Sequence, residues 1–359
     1  MAGLGPVCPS FSKIDPMRVL AVTKGGAPVA PNVAILEDQP KPQAGPGEVL
    51  VRTEATSLNH LDLWVGMGMP GVDRPYPRVT GSDGVGIVEE VGEGVGEDWL
   101  GQRIILNAAI ESPQEGRLGK APAGEQFHLL GEQVSGTSAE FFAAPVSNIL
   151  PVGDADPLEA AAFGLVHLTA WRMLVTRAGI QPGQSILITG IGGGVALAAL
   201  GIARHLGCKT IVTSRSEKKL DAAQSLGADH GILDDGEDFS RSVRSLTKGR
   251  GVDVCADSIG KAVHLRCIKS LARGGVFVTC GATTGAGGET DLARIFWNQL
   301  RVMGSTMGDM SEFRAVTALF LAGSLKPVLD QIYPLDAAKD GYERLERSEQ
   351  FGKLVIDWR

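Results

Sequence analysis

Four glycines in the run Thr189-Gly-Ile-Gly-Gly-Gly-Val-Ala196 separate an apolar, strand-like stretch, Ser185–Thr189, from an apolar, helix-like one, Val195–Leu206. A strand that ends in a glycine turn and leads into a helix N-terminus presents backbone N–H groups and the positive end of a helix dipole, which suits a diphosphate. Gly190, Gly193 and Ala196 follow a G-x-x-G-x-x-A spacing, and Gly192, Gly194 and Val195 complete the loop. Alanine at the last place still lets helix and strand pack closely. The next strand ends in Thr213-Ser-Arg-Ser-Glu-Lys-Lys219. NAD sites place Asp or Glu at that end, about 20 residues past the glycines, to accept from the ribose 2′-hydroxyl. Here the strand stops at Ser214, Arg215 and Lys218, a hydroxyl and two cations that suit a ribose 2′-phosphate, so the expected cofactor is NADP(H). In the other reading this stretch is a solvated helix cap and Glu217 turns in to the ribose. Two further loops, Asp257-Ser-Ile-Gly260 and Cys280-Gly-Ala-Thr-Thr-Gly285, follow strand-like runs, where open α/β sheets bind ligands. Ser258, Ile259, Gly281, Ala282 and Thr283 are assigned to the cofactor. Cys280 has no histidine partner evident in the sequence and reads as a packing residue.

These loops need a sheet to hold them. Asp156-Pro157 opens a helix with an acidic cap and a first-turn proline. From there strands (Ser185–Thr189, Thr210–Thr213, Val252–Cys255, Gly275–Thr279, Leu300–Gly304) alternate with helices (Val195–Leu206, Glu217–Leu226, Lys261–Leu271). The strands are continuously apolar, as in a doubly wound parallel sheet covered by helices on both faces. Residues 17–150 instead read as short strands, Met17–Val22, Glu48–Arg52, Gly84–Val91 and Arg103–Leu106, punctuated by Gly and Pro clusters, which suggests a barrel or sandwich. The fold class is α/β. The expected division is 1–155 for the strand-rich domain, with 1–16 as an extension, 156–308 for the nucleotide domain, and 309–359 as a return segment. Pattern alone does not assign the last strand, Phe351–Ile356, to either sheet.

Of 359 residues, 43% are hydrophobic and 21% charged, which argues against wholesale disorder. The 48 glycines follow no G-x-y period, which excludes collagen. A net charge of -7 argues against nucleic-acid binding. Apolar runs fall short of the roughly 18 residues of a membrane helix. Met1–Pro16 lacks the apolar centre of a secretory signal and the arginines of a transit peptide, so a cytoplasmic location and a small-molecule substrate are the expectations. Five cysteines, Cys8, Cys208, Cys255, Cys267 and Cys280, form no CxxC pair, which excludes a zinc ribbon and offers no disulfide framework.

The chain resembles the medium-chain dehydrogenase/reductase superfamily over nearly all of 17–359. The resemblance is carried by Gly45-Pro-Gly-Glu-Val-Leu-Val51, Ser57-Leu-Asn-His-Leu-Asp62, Gly81-Ser-Asp-Gly-Val-Gly-Ile-Val88, Thr169-Ala-Trp171, Leu226-Gly-Ala-Asp229 and Phe351-Gly-Lys-Leu354. The branch it looks most like is that of the quinone oxidoreductases and the zinc-type alcohol dehydrogenase-like proteins. The resemblance implies a GroES-like barrel beside a Rossmann domain, Thr169 near the nicotinamide, and a homodimer paired through an edge strand within Leu271–Met310. Lys353 is assigned to the cofactor as well. The family's zinc alcohol dehydrogenases hold a catalytic zinc with a Cys, a His and a later Cys. Here those places carry Asn59, Ser82 and, nearby, Leu165, which bring neither thiolate nor imidazole. A site built from His60 and His167 with Asp62 or Asp83 is the remaining metal reading. The four-cysteine structural lobe of relatives falls at 107–131, which holds no cysteine, and that segment is expected to be a surface loop.

No metal is therefore expected. Without a Lewis acid, quinones and conjugated enones are the easier hydride acceptors, because their negative charge spreads over a π-system. The expected chemistry is hydride transfer from NADPH to such an acceptor. Asn59, in the ligand slot, is expected to donate to the acceptor oxygen, with His60 and Asp62 as the other catalytic candidates. In the plainer reading, Asp62 and Asp83 hydrogen-bond within the barrel, and His60 and His167 pack. Trp64, Phe163, Leu165, Trp297 and Met307 are expected to wall the substrate pocket. Two alternatives stay open. An enoyl-thioester reductase would need a basic entry, for which Arg74, Arg78 and Arg294 are scattered candidates. A non-catalytic NADPH-binding sensor or structural protein would need no acid–base residue.

Overall fold

The computed structural model of the chain describes residues 16–68, 75–111 and 127–359, with backbone only at 111 and 127. Arg74, most of the N-terminal extension and most of the expected lobe lie outside these residues.

The first half supplies β1 (Pro16–Val22), β2 (Val33–Pro40), β3 (Glu48–Ser57), α1 (His60–Met67), β4 (Arg78–Val79), β5 (Gly84–Val91), β6 (Arg103–Leu106), β7 (Ala109–Glu111), β8 (Phe127–Leu129), β9 (Phe141–Pro145) and β10 (Ile149–Pro151). One three-stranded sheet runs β2-β1-β4, and β7 pairs with β8 across the ends of the expected lobe. The second half supplies α2 (Pro157–Trp171), β11 (Ser185–Ile188), α3 (Gly194–His205), β12 (Lys209–Ser214), α4 (Glu217–Ser225), β13 (His230–Leu233), α5 (Ser240–Leu246), β14 (Val252–Asp257), α6 (His264–Ser270), β15 (Leu271–Thr279), α7 (Leu292–Asn298), β16 (Arg301–Gly304), α8 (Met310–Leu321), β17 (Leu329–Pro334), α9 (Ala338–Glu346) and β18 (Lys353–Asp357). The larger sheet of the barrel runs β10-β6-β5-β3-β18-β17, with β9 also on β3. The terminal strand thus belongs to the barrel: β18 lies antiparallel to β3 and parallel to β17.

The other sheet is parallel and runs β13-β12-β11-β14-β15-β16. Counted from β11 this is 3-2-1-4-5-6, the doubly wound order whose direction reverses between the first and fourth strands. The reversal opens a crevice beyond the carboxyl ends of β11 and β14. There Thr189 Oγ1 donates to Asp257 Oδ1 at 2.6 Å, joining the ends of the two strands.

α2 is the wall between the two halves. Asp156 Oδ1 accepts from Leu158 N and Glu159 N, and Pro157 occupies the first turn, as expected for this cap. The helix does not stop at Trp171 but continues as a π-helical segment, Arg172–Arg177. The continuous helix from 157 to 177 has the length and apolarity of a membrane span, a correction to the sequence expectation, yet most of it is buried inside the protein. It packs on β3, β5, α3 and α8. Arg172, buried, is met by Glu312 and Asp309 from the start of α8.

Phe163, expected on the pocket wall, is instead in the core of this junction. It is fully buried, with its ring stacked on His167 at 3.9 Å and on Phe320 at 4.6 Å between centroids. Phe163→Ala leaves a cavity at that stack, and the expected cost is about 3–5 kcal/mol. Urea denaturation checks it, and dinucleotide affinity of the folded variant is expected to stay unchanged.

Candidate active site

The start of the glycine loop is held by β12. Ile191 N donates to Thr213 O at 2.8 Å, and Gly190 N to Thr213 Oγ1 at 3.3 Å. Gly190 (φ 66°) and Gly192 (φ 117°) adopt backbone conformations that side chains rarely tolerate. A Cβ on Gly190 would also meet Ile259 Cδ1 at 2.8 Å, and one on Gly192 would meet Lys219 Cδ at 2.9 Å. Gly193 is the N-cap of α3, which begins at Gly194, followed by Val195. This is a bare backbone cradle at a helix N-terminus, and it fits a dinucleotide diphosphate. The loops after β14 and β15 close beside it. Thr283 Oγ1 donates to Ser258 O (3.1 Å), and a Cβ on Gly281 would stand 3.0 Å from the same oxygen, with Ala282 next to it. Asp257 orders this edge by accepting from Ile259 N (3.1 Å) and Gly260 N (3.0 Å). Its role was not legible in the sequence, because it depends on two strands meeting.

At the end of β12, Ser214 is buried and its Oγ accepts from Ser216 N at 3.2 Å. Arg215 is exposed, and among the described residues its guanidinium has no hydrogen bond or ion pair. Lys218 is exposed, and the lysine against the loop is Lys219, one residue on, which the sequence reading did not single out. Its stem lies against Gly192 and its Nζ donates to Ser348 O at 2.7 Å. Burial lowers the Lys219 pKa, and the Arg215 charge lowers it further. Lys219 is the third residue of α4, and helix side chains lean back towards the N-terminus, which carries this stem to the glycine loop.

Across the cleft, Asn59 precedes α1 and is 7% exposed. Its Oδ1 accepts from Lys353 Nζ at 2.6 Å, and its Nδ2 donates to Asp83 Oδ2 at 2.8 Å and to Ser57 O at 3.4 Å. The amide is therefore committed within the protein, which contradicts its expected use as a donor to substrate oxygen. Asp62 is not in the cleft either. It is buried and accepts from Asn59 N (2.7 Å) and Gly81 N (2.8 Å), an anchor for the start of α1. Burial pushes its carboxyl up to about 6, against the pull of these N–H donors and of Lys353. His60, the first residue of α1, is half-buried beside Trp64, and among the described residues its ring makes no hydrogen bond. Burial lowers its pKa and the Lys353 charge lowers it further, so it is neutral at neutral pH. Of the three catalytic candidates, His60 alone has side-chain polar atoms with no hydrogen bond among the described residues.

The donor set does not fit zinc. Asn59 Oδ1 is taken by an ammonium, Ser82 Oγ donates to Leu130 O at 2.6 Å, and Leu165 contributes to this region only its N–H, which donates to Asp83 Oδ1 at 2.7 Å. Among the described residues no three His, Cys, Asp or Glu side chains stand together as a metal site. Lys353, expected at the cofactor, turns its charge to Asp83 instead.

The pocket residues divide. Thr169 and Met307 come together, Oγ1 to Sδ at 4.0 Å, both buried, and Met307 holds a left-handed φ of 46°. Trp64 and Leu165 are half-buried. Trp297 is not in the cleft: it is 71% exposed on α7, beside equally exposed Phe296. His167 packs, fully buried, with Nδ1 at 2.9 Å from Phe163 O.

Comparison with known proteins gives a consistent picture. Residues 45–154 match the model for the alcohol dehydrogenase GroES-like domain, and residues 194–322 that for zinc-binding dehydrogenases. A zinc-type alcohol dehydrogenase-like protein, YogA, of Leptosphaeria maculans is 32% identical, over 88% of this chain and 92% of its own length. A crotonyl-CoA reductase of Streptomyces avermitilis is 28% identical, over 89% of this chain and 81% of its own. A crystal structure of an NAD-dependent alcohol dehydrogenase is 37% identical, with a TM-score of 0.87, covering 96% of this chain and all of that one.

Burial lowers the pKa of His167 from 6.5 to about 4. A depressed histidine contributes stability that is complete above pH 6.5 and is lost as the pH falls towards 4, because the unfolded chain takes up its proton first. In His167→Gln this loss disappears. The stability deficit of the variant is expected to be largest at pH 7 and to shrink by about 3 kcal/mol towards pH 4, read from urea unfolding across that range.

Proposed function

The chain belongs to the medium-chain dehydrogenase/reductase superfamily, and we propose that it is an NADPH-dependent oxidoreductase that reduces a quinone or conjugated enone without zinc. It is an oxidoreductase of the alcohol dehydrogenase-like type in a pyridine-nucleotide-dependent family. The observation that carries the finer reading is the donor set around Asn59, where an ammonium takes the oxygen that a metal would need. Without a metal to draw charge from a carbonyl, an acceptor that delocalises its own negative charge is favoured. Bound NADPH would supply the hydride. The glycine loop from Gly190 to Val195 receives its diphosphate, and Ser214, Arg215 and Lys219 receive the 2′-phosphate. Thr169 and Met307 form the cleft side near the ring, with Ser258, Ile259 and 281–283 along the neighbouring loops. His60, neutral and with no hydrogen bond among the described residues, orients or protonates the acceptor oxygen.

The similarity to a crotonyl-CoA reductase favours an enoyl thioester as a second acceptor class within the same chemistry. The exposed Leu292, Phe296 and Trp297 of α7 and Val302 of β16, an edge strand, support the expectation of a homodimer formed there.

Purified protein incubated with quinones, enones and an enoyl thioester is expected to consume NADPH, with turnover unchanged by a zinc chelator. NADPH that binds but is not consumed by any acceptor would reject the enzyme reading. Arg215→Ala is expected to raise the Kd for NADPH about tenfold while leaving that for NADH unchanged, since a charged hydrogen bond to phosphate is lost. His60→Gln is expected to lower kcat about 100-fold, the lower end of what a positioned acid or base contributes.

A further inference from the structure

Lys353 crosses the cleft. Its neighbour Gly352 donates its N–H to Gly192 O at 3.0 Å, which docks the start of β18 on the glycine loop. Its stem runs past Gly194, where an added Cβ would meet Lys353 Cδ at 2.9 Å. The ammonium then leaves the loop and gives its hydrogens to Leu58 O (3.0 Å), Asn59 Oδ1 (2.6 Å) and Asp83 Oδ2 (3.0 Å). Its side chain is 4% exposed and that of Asp83 1%.

Three of the contacts close a ring: Lys353 to Asn59, Asn59 to Asp83, and Lys353 to Asp83. The charges decide which way the amide faces, since an ammonium has only donors and a carboxylate only acceptors. The ring therefore fixes Asn59 in position and orientation, and with it the adjoining His60. Asp83 is held further by Ser57 Oγ on the same Oδ2 (2.8 Å) and by Leu165 N on Oδ1 (2.7 Å). If the ammonium left for a diphosphate, it would abandon a buried carboxylate, which is strongly unfavourable.

We propose that Lys353 is a positioning residue for hydride transfer, tying the glycine loop to the Leu58–His60 segment, and that it is not a ligand of the dinucleotide phosphates. The proposal rests on the functional reading above for its kinetic consequence, but not for its geometry. Asp62, His60 and His167 also lie within reach of its charge, so its removal alters the electrostatics of the whole slot.

The test combines a crystal structure with NADP+ bound and measurements on Lys353→Met, Lys353→Arg and the charge-balanced Lys353→Met/Asp83→Asn. In the complex, Nζ is expected to remain on Asn59 and Asp83. Lys353→Met is expected to lower kcat about 10- to 100-fold through misplacement, with the Kd for NADPH, read by nucleotide fluorescence, within about threefold of the parent. Lys353→Arg should recover part of kcat. If Lys353→Met does not fold, the double variant carries the test, with the same loss of kcat expected. Nζ on the diphosphate, a Kd weakened tenfold with kcat intact, or a double variant with parental kcat would each overturn the proposal. Absence of turnover in the parent protein would defeat the functional reading alone, since the complex and the Kd values still decide where Lys353 acts.

Discussion

One buried ion pair, Lys353 with Asp83, stands where the barrel, the terminal strand and the glycine loop converge. Removing two charges from water costs several kcal/mol for each ion, and their attraction offsets this only when every remaining donor and acceptor is satisfied. Here they are. Asp83 accepts from Ser57, Asn59, Leu165 and Lys353, and Lys353 donates to three oxygens. These partners come from β3, the start of α1, α2 and β18. The pair therefore demands that elements distant in sequence hold one arrangement, and the C-terminal strand must return to the barrel to complete it.

The same pair shapes the chemistry. In the proposed reading, the slot that takes a metal in zinc enzymes of this superfamily here holds the Lys353 ammonium, balanced by Asp83. That cation has no open coordination position, so it polarises no substrate directly. It fixes Asn59, and His60 follows Asn59 directly in the chain, within reach of its charge. In the proposed reading the cleft offers placement, a neutral imidazole and apolar side chains from Trp64 and Met307, a setting that suits an acceptor able to disperse its own charge.

Much of the scaffold was legible because its signals are local. The parallel strands, the cap at Asp156 and the glycine cradle each follow from short runs of residues. What failed was non-local. Phe163 and Trp297 are large and apolar in pocket-like contexts, yet one is core and the other exposed, and composition does not separate these. Lys218 and Lys219 differ only in the helix face they occupy. Asn59 was singled out by its slot as a donor to substrate, but its amide is consumed by Lys353, nearly three hundred residues away. The strand of Lys353 could not be assigned to a sheet without its pairing partners, β3 and β17.

The central claim is that a lysine, and not a zinc ion, occupies the catalytic slot. Anomalous diffraction at the zinc edge, from crystals of protein purified with zinc supplied, tests it most directly. The account predicts no anomalous peak beside Asn59, Ser82 and Asp83, with Lys353 density ending on Asn59 and Asp83. A zinc peak among those residues, with Lys353 displaced, would contradict it.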